Sequence, residues 1–196
     1  MTCIAGYLHG DGHATLIADT LASTDRLAIE CVPHKLFVSG AALVGVSGDM
    51  RVGQLIRYRS PGVELGSDGA VPSLLRWLEA IRALLREAGA GRSKEGVDEL
   101  TDSRMLVALG GWLLEVDGAW QIVQPQSPFW AIGSGQLYAL AALDTLDRVS
   151  RDAYSPADKL RAAMLTVAKF DPGVRAPFEL LTDSLGQPYA SAWARP

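Results

Sequence analysis

Met105-Leu106-Val107-Ala108-Leu109-Gly110-Gly111-Trp112-Leu113-Leu114-Glu115-Val116-Asp117-Gly118-Ala119-Trp120-Gln121-Ile122-Val123 is the clearest local signal in the chain. Three short runs rich in aliphatic and aromatic residues, 105–109, 112–116 and 120–123, read as strands separated by glycine-bearing breaks. Asp117-Gly118, between the last two, is a favoured dipeptide for a two-residue type I′ turn, whose central residues both need positive φ. The stretch predicts an antiparallel meander.

Toward the N-terminus the same grammar recurs. Residues 2–8 and 14–18 read as a hairpin around His9-Gly10-Asp11-Gly12-His13. Residues 35–38 and 41–46 form two further strands about Ser39-Gly40, and the apolar run 43–46 predicts burial on both faces. A Pro- and Gly-rich loop at 60–72 leads to a helix capped by Ser73. Its stripe Leu74, Trp77, Leu78, Ile81, Leu84, Leu85 has 3,4-spacing and stops at Gly89. Residues 89–102 read as a polar connection.

Beyond the meander, 129–132 is a strand running through Gly133-Ser134-Gly135 into an Ala/Leu-rich helix to about residue 146. Ser155-Pro156 starts a second helix, and 178–182 is a last strand before a Gly/Pro-rich tail. Strands, a helix, strands, two helices and a strand give segregated elements rather than a βαβ winding. The predicted class is α+β, a four-layer αββα sandwich of two antiparallel sheets flanked by helices.

The chain has 196 residues, 48% of them hydrophobic and 20% charged, which suits one domain spanning 1–196. A formal net charge of -4 argues against nucleic-acid binding. The apolar runs are too short for a membrane span, and the start lacks a secretory signal pattern. Two cysteines, Cys3 and Cys31, make neither a disulfide framework nor a metal cluster, so a cytoplasmic protein with reduced thiols is expected. Gly133-Ser134-Gly135 lacks the third glycine of a dinucleotide loop, and Ser47 lacks the trailing glycine of a nucleophile elbow. His9 and His13 are separated by glycines that preclude helical ligand spacing, and His34 beside Pro33 reads as a surface residue. No metal or cofactor is predicted.

Thr2 stands behind a methionine that processing removes when the next residue is small. A mature chain starting at Thr2 carries a hydroxyl and a free α-amine on one residue. The amine, with a pKa of about 7.7–8.0, is a base able to activate that hydroxyl. Threonine at this position alone signifies only efficient methionine removal. Asp19, ending the second strand of the hairpin that starts at Thr2, and Lys35, opening the third strand, add weight. Their pairing would keep a lysine charged near the nucleophile, or would be a structural ion pair at a sheet end.

Thr2-x-Ile4-Ala5-Gly6, Ala18-Asp19-Thr20, Lys35-Leu36-Phe37, Gly45-x-Ser47-Gly48-Asp49 and Ala131-Ile132-Gly133-Ser134-Gly135-x-x-Tyr138-Ala139-x-Ala141-Ala142 together resemble the N-terminal-nucleophile (Ntn) hydrolases of the proteasome β-subunit kind, nearest the bacterial HslV-type peptidase. The resemblance implies an αββα fold and a threonine-type hydrolase of peptide bonds, active once Met1 is removed. It implies Thr2 as nucleophile, Asp19 and Lys35 as its charged partners and Ser134 as the partner of the amine. Gly48, with Gly45 competing, would supply the oxyanion N–H. It also implies a peptide or protein substrate, a homo-oligomer that could be a ring, and an ATP-dependent unfoldase as a possible partner. A small-amide amidohydrolase and a non-catalytic scaffold retaining the fold are the alternatives. Asp49 departs from the family's small residue, with Arg51 a candidate neutraliser. Asp171 matches a family aspartate whose serine, three residues on, is replaced by Val174.

Overall fold

The computed structural model describes residues 1–23, 28–30, 35–90, 92–94, 97–100, 102–149, 153–183 and 191–194. Cys31 and His34 lie outside these described residues. In chain order the elements are β1 (Cys3–Leu8), β2 (Ala14–Asp19), β3 (Leu21–Ser23), β4 (Ala28–Glu30), β5 (Leu36–Ser39) and β6 (Ala42–Ser47), then α1 (Met50–Arg59) and α2 (Ala70–Glu87). There follow β7 (Arg92–Lys94), β8 (Val97–Glu99), β9 (Arg104–Leu109), β10 (Trp112–Val116), β11 (Ile122–Val123) and β12 (Phe129–Gly133). The last elements are α3 (Gln136–Val149), α4 (Pro156–Phe170), β13 (Phe178–Thr182) and β14 (Ser191–Ala194).

Two five-stranded antiparallel sheets form the interior, one ordered β12-β1-β2-β13-β14 and the other β11-β10-β9-β6-β5. β1 shows how the sequence dictates layers. Its side chains alternate, as the period of two requires. Cys3, Ala5 and Tyr7 join Leu143, Leu160, Met164 and Val167 beneath α3 and α4, while Ile4 enters the layer between the sheets with Leu16, Leu36, Leu43 and Leu106. On the far side, Val44, Val46 and Val107 pack against Ile56 of α1 and Trp77, Leu78 and Ile81 of α2. The predicted four-layer αββα order is the one observed. No helix among the described residues is long and apolar enough to cross a membrane.

The meander is present, but its tight turn is one hairpin earlier than predicted. Gly110 and Gly111 take φ of +57° and +81° and place Leu109 opposite Trp112, as a type I′ turn demands. Asp117 instead opens a wider loop. Its carboxylate accepts the N–H groups of Ala119 and Gln121, each at 2.9 Å, and Trp120 takes φ 65°. An aspartate that saturates loop N–H groups replaces the turn its dipeptide predicts, and the third strand shrinks to β11.

Four other differences concern single elements. The helix predicted from Ser73 begins at Ala70, and the Ser73 hydroxyl bonds back to the Gly69 carbonyl at 2.7 Å within the first turn. Residues 89–102, expected as irregular, include the hairpin β7–β8. The tail supplies β14, which pairs with β13. α1 was not foreseen at all. It buries only Val52 and Ile56, too narrow a stripe to stand out, and the Asp49 side chain caps it by accepting the Arg51 N–H at 2.8 Å.

The helix layer over the first sheet encloses a charge. Lys159 of α4 is 2% exposed, with Nζ 2.9 Å from Asp147 Oδ1 of α3 and 3.3 Å from the Tyr7 hydroxyl of β1. Tyr7 also donates to Asp147. Burial alone would lower the lysine pKa, but the Asp147 and Tyr7 hydrogen bonds outweigh it and hold the ammonium above its ordinary value. Three elements are pinned by this cluster. Lys159→Met, which takes the ammonium from Asp147, is expected to cost about 3–5 kcal/mol in urea unfolding at pH 7. Because the folded pKa is raised, the pair's contribution is complete below the ordinary lysine value. It is lost as pH climbs through the raised one, so wild type and variant should converge at high pH.

Candidate active site

Residue 2 sits immediately before β1, a strand hydrogen-bonded on both sides to β12 and β2. Pairing sets Cys3 opposite Gly133, which brings the turn after β12 against the start of the chain. Gly133 has φ +94°, and a Cβ there would lie 2.2 Å from the Thr2 carbonyl oxygen, so backbone and backbone approach where only glycine fits. Ser134 follows. The Thr2 N–H donates to its Oγ at 3.2 Å. A serine hydroxyl has one proton, and its shortest acceptor is Asp171 Oδ2 at 2.7 Å, against 3.2 Å to the Thr2 carbonyl. Ser134 therefore donates to Asp171 and offers lone pairs to the nitrogen of residue 2.

Asp171 ends α4 and is 5% exposed. Its Oδ1 accepts the Gly173 N–H at 2.9 Å, so both carboxylate oxygens are engaged. Val174, buried in the core beneath α3 and α4, offers no side-chain hydrogen bond, and the Gly173 backbone holds the aspartate instead.

Asp19, at the end of β2, is fully buried and accepts Lys35 Nζ at 2.7 Å on Oδ2 and the Cys3 N–H at 2.9 Å on Oδ1. Burial pushes its carboxyl above the ordinary value, while Lys35 and the backbone N–H groups of Cys3 and Leu21 pull the other way. Cys3, buried beside Asp19 and Asp171, has its thiol pushed far above the ordinary cysteine value, first by desolvation and then by these charges.

Gly48 follows β6 with φ +106°, and a Cβ there would come within 2.6 Å of the Asp102 carbonyl oxygen and Ser103 Cα. Gly45 lies elsewhere. A Cβ on it would meet the Ile4 and Leu36 side chains between the sheets. Asp49 acts as the α1 N-cap, where the positive end of the helix dipole balances it. Arg51, expected as its neutraliser, reaches the Ala88 carbonyl at 2.8 Å instead.

Two cavities flank residue 2. One, of about 120 Å³, is walled by Thr20, Lys35, Phe37, Val46, Met50 and Arg57, among others. The other, of about 320 Å³, is walled by Ser47, Asp102, Arg104, Ser134 and Gln136, among others. Met1, Thr2 and Gly48 line both. Thus Thr2 and Ser134 are in contact, Asp19 and Lys35 are in contact, and Lys35 and Gly48 face the cavity that Thr2 lines. With Met1 attached, the nitrogen of residue 2 is an amide, and Thr2 Oγ1 donates to the Met1 carbonyl at 2.7 Å. His9 and His13 lie at the opposite end of the β1–β2 hairpin, on Thr15 and the Asp183 carbonyl.

The walls from α1 escaped the sequence reading because that helix did. Arg104 and its partner Glu115 carry no local motif, and only their register in β9 and β10 reveals them.

No protein-family model and no curated protein matches the sequence. Solved structures do. BPH from Thiobacillus denitrificans, in complex with epoxomicin, is 18% identical over 94% of this chain and 100% of its own, with a TM-score of 0.76. Eukaryotic HslV from Trypanosoma brucei is 20% identical over 92% of this chain and 98% of its own, at 0.65. A Gly-1 mutant of Anbu from Hyphomicrobium sp. strain MC1 is 15% identical over 99% of this chain and 88% of its own, at 0.67. At these identities the likeness is one of fold, and the fold is the Ntn-hydrolase sandwich of proteasome-type subunits.

Proposed function

We propose that this protein is a threonine-type N-terminal-nucleophile hydrolase that cleaves amide bonds of peptides once residue 2 has a free amine. The observation that carries the reading is the 3.2 Å contact between the nitrogen of Thr2 and a Ser134 hydroxyl committed to buried Asp171. A nitrogen held this way is pre-oriented, and freed as an amine it keeps a lone pair for the hydroxyl of its own residue.

In the proposed cycle Thr2 Oγ attacks the substrate carbonyl carbon while the α-amine takes the hydroxyl proton. Lys35, fixed by Asp19, favours the alkoxide by its charge, and the Gly48 N–H meets the oxyanion. Collapse breaks the C–N bond as the amine passes the proton to the leaving nitrogen, leaving an ester on Thr2. Water then attacks the ester with the same amine as base, releasing the acid and restoring the hydroxyl. No metal or cofactor enters. Family analogy extends the proposal to a homo-oligomer in the cytoplasm, tested by native mass, and to an ATP-driven unfoldase partner.

Intact mass should show loss of Met1 in the active form, and an electrophilic peptide such as epoxomicin, which BPH binds in its solved complex, should add to Thr2. Thr2→Ala and Lys35→Ala should each reduce peptide hydrolysis to background with an unchanged circular dichroism spectrum. Hydrolysis surviving Thr2→Ala would end the mechanism.

Iodoacetamide at pH 8 should leave Cys3 unmodified in the folded protein and alkylate it in 6 M guanidinium, read by peptide mapping. Labelling of the folded N-terminal peptide by other electrophiles then reports Thr2 and not its neighbour.

A further inference from the structure

The two cavities are chemically unlike, and the proton path distinguishes them. The nitrogen of residue 2 is bound to Ser134, which lines the larger, polar cleft, whereas Lys35 lines the smaller one. A base that takes a proton from Thr2 Oγ must hand it to the leaving nitrogen, and the transfer needs hydrogen-bond reach. The leaving part of a substrate is therefore on the Ser134 side, and the acyl part lies against Phe37, Val46 and Met50.

The polar cleft holds an oriented guanidinium. Arg104 opens β9 directly opposite Ser47, one residue from Gly48. Its Nη1 donates to Glu115 Oε1 at 3.0 Å, and Trp130 Nε1 occupies the other Glu115 oxygen at 2.5 Å. The pair is asymmetric. The Glu115 side chain is 5% exposed and saturated, whereas that of Arg104 is 47% exposed, with no other side-chain hydrogen bond among the described residues. A carboxylate is costly to bury, and here it fixes one nitrogen of a half-exposed cation that lines the cleft. A guanidinium fork matches a carboxylate in two parallel hydrogen bonds. Asp102 lines the same cleft, so the walls carry one charge of each sign, as a free amino acid does. Even with Met1 in its wall, the cleft has a volume of about 320 Å³, at the small end of ligand clefts, which run to ~1,000 Å³.

We propose that this cleft receives a short leaving group and that Arg104 selects one with a free α-carboxylate, so that the enzyme prefers to remove a C-terminal residue from a short peptide. This rests on the hydrolase reading above. Three substrates with one acyl part separate the two: N-acetyl-Leu-Ala, its C-terminal amide, and an N-acetyl-Leu aminocoumarin amide whose leaving group has no carboxylate. With free Thr2, kcat/KM for the acid should exceed that for the amide by about tenfold or more, the scale of a charge-assisted hydrogen bond. The ratio should shrink as salt is raised. Arg104→Gln should bring it to about one, and Arg104→Lys should keep part of it. Equal rates for acid and amide in the wild type, or a ratio that survives Arg104→Gln, overturn the proposal. If the coumarin amide is still cleaved, the hydrolase reading stands. Cleavage of none of the three overturns both.

Discussion

The ion pair between Asp19 and Lys35 holds the functional end of the molecule together. Asp19 ends a strand of the first sheet and Lys35 leads into the second, so their 2.7 Å contact ties an end of one sheet to the start of the other. A fully buried carboxylate is tolerated only with its oxygens satisfied, and the second oxygen is satisfied by the first N–H of β1. One side chain thus fixes the place where the chain begins and the place where the lysine ends. Removing Lys35 leaves a fully buried carboxylate without its cation beside residue 2. Chemistry and packing make the same demand here.

Around that pair the molecule separates two tasks. Thr2, Ser134 and Asp171 come from the first sheet and its helices, connected by hydrogen bonds whose donors and acceptors are fully assigned. Gly48, the α1 walls and Arg104 come from the second sheet. The position of the N–H proposed to meet the oxyanion is set by the backbone conformation at Gly48, a positive φ that favours glycine and that Asp102 and Ser103 also crowd.

Much of this was legible before the structure. The strand pairs 2–8 with 14–18 and 35–38 with 41–46 follow from apolar runs about short polar turns, and the Ser155-Pro156 start of α4 follows from capping chemistry, with Ser155 accepting the Asp158 N–H at 3.2 Å. Thr2, Asp19 and Lys35 stand out because each starts, ends or opens such an element, whereas Ser134 and Gly48 enter only through the resemblance. What escaped has physical reasons. α1 has too few buried residues to show a period. Asp117-Gly118 was outcompeted by its own carboxylate. Arg104 and Glu115 meet by strand register, which no window of sequence displays. Asp171 was noticed only as a match, and its two hydrogen bonds are long-range or backbone contacts that composition cannot reveal.

Because Thr2 and Gly48 are carried by different sheets, their separation depends on how one sheet slides over the other. The Thr2–Ser134–Asp171 chain is indifferent to such shear, being wholly on one side of the seam. The interlocked Ile4, Leu36, Leu43 and Leu106 side chains resist it, with a Cβ on Gly45 already too close to Ile4 to be admitted. Enlarging that glycine would act like a shim, lifting the two halves of the site apart while leaving each half internally intact.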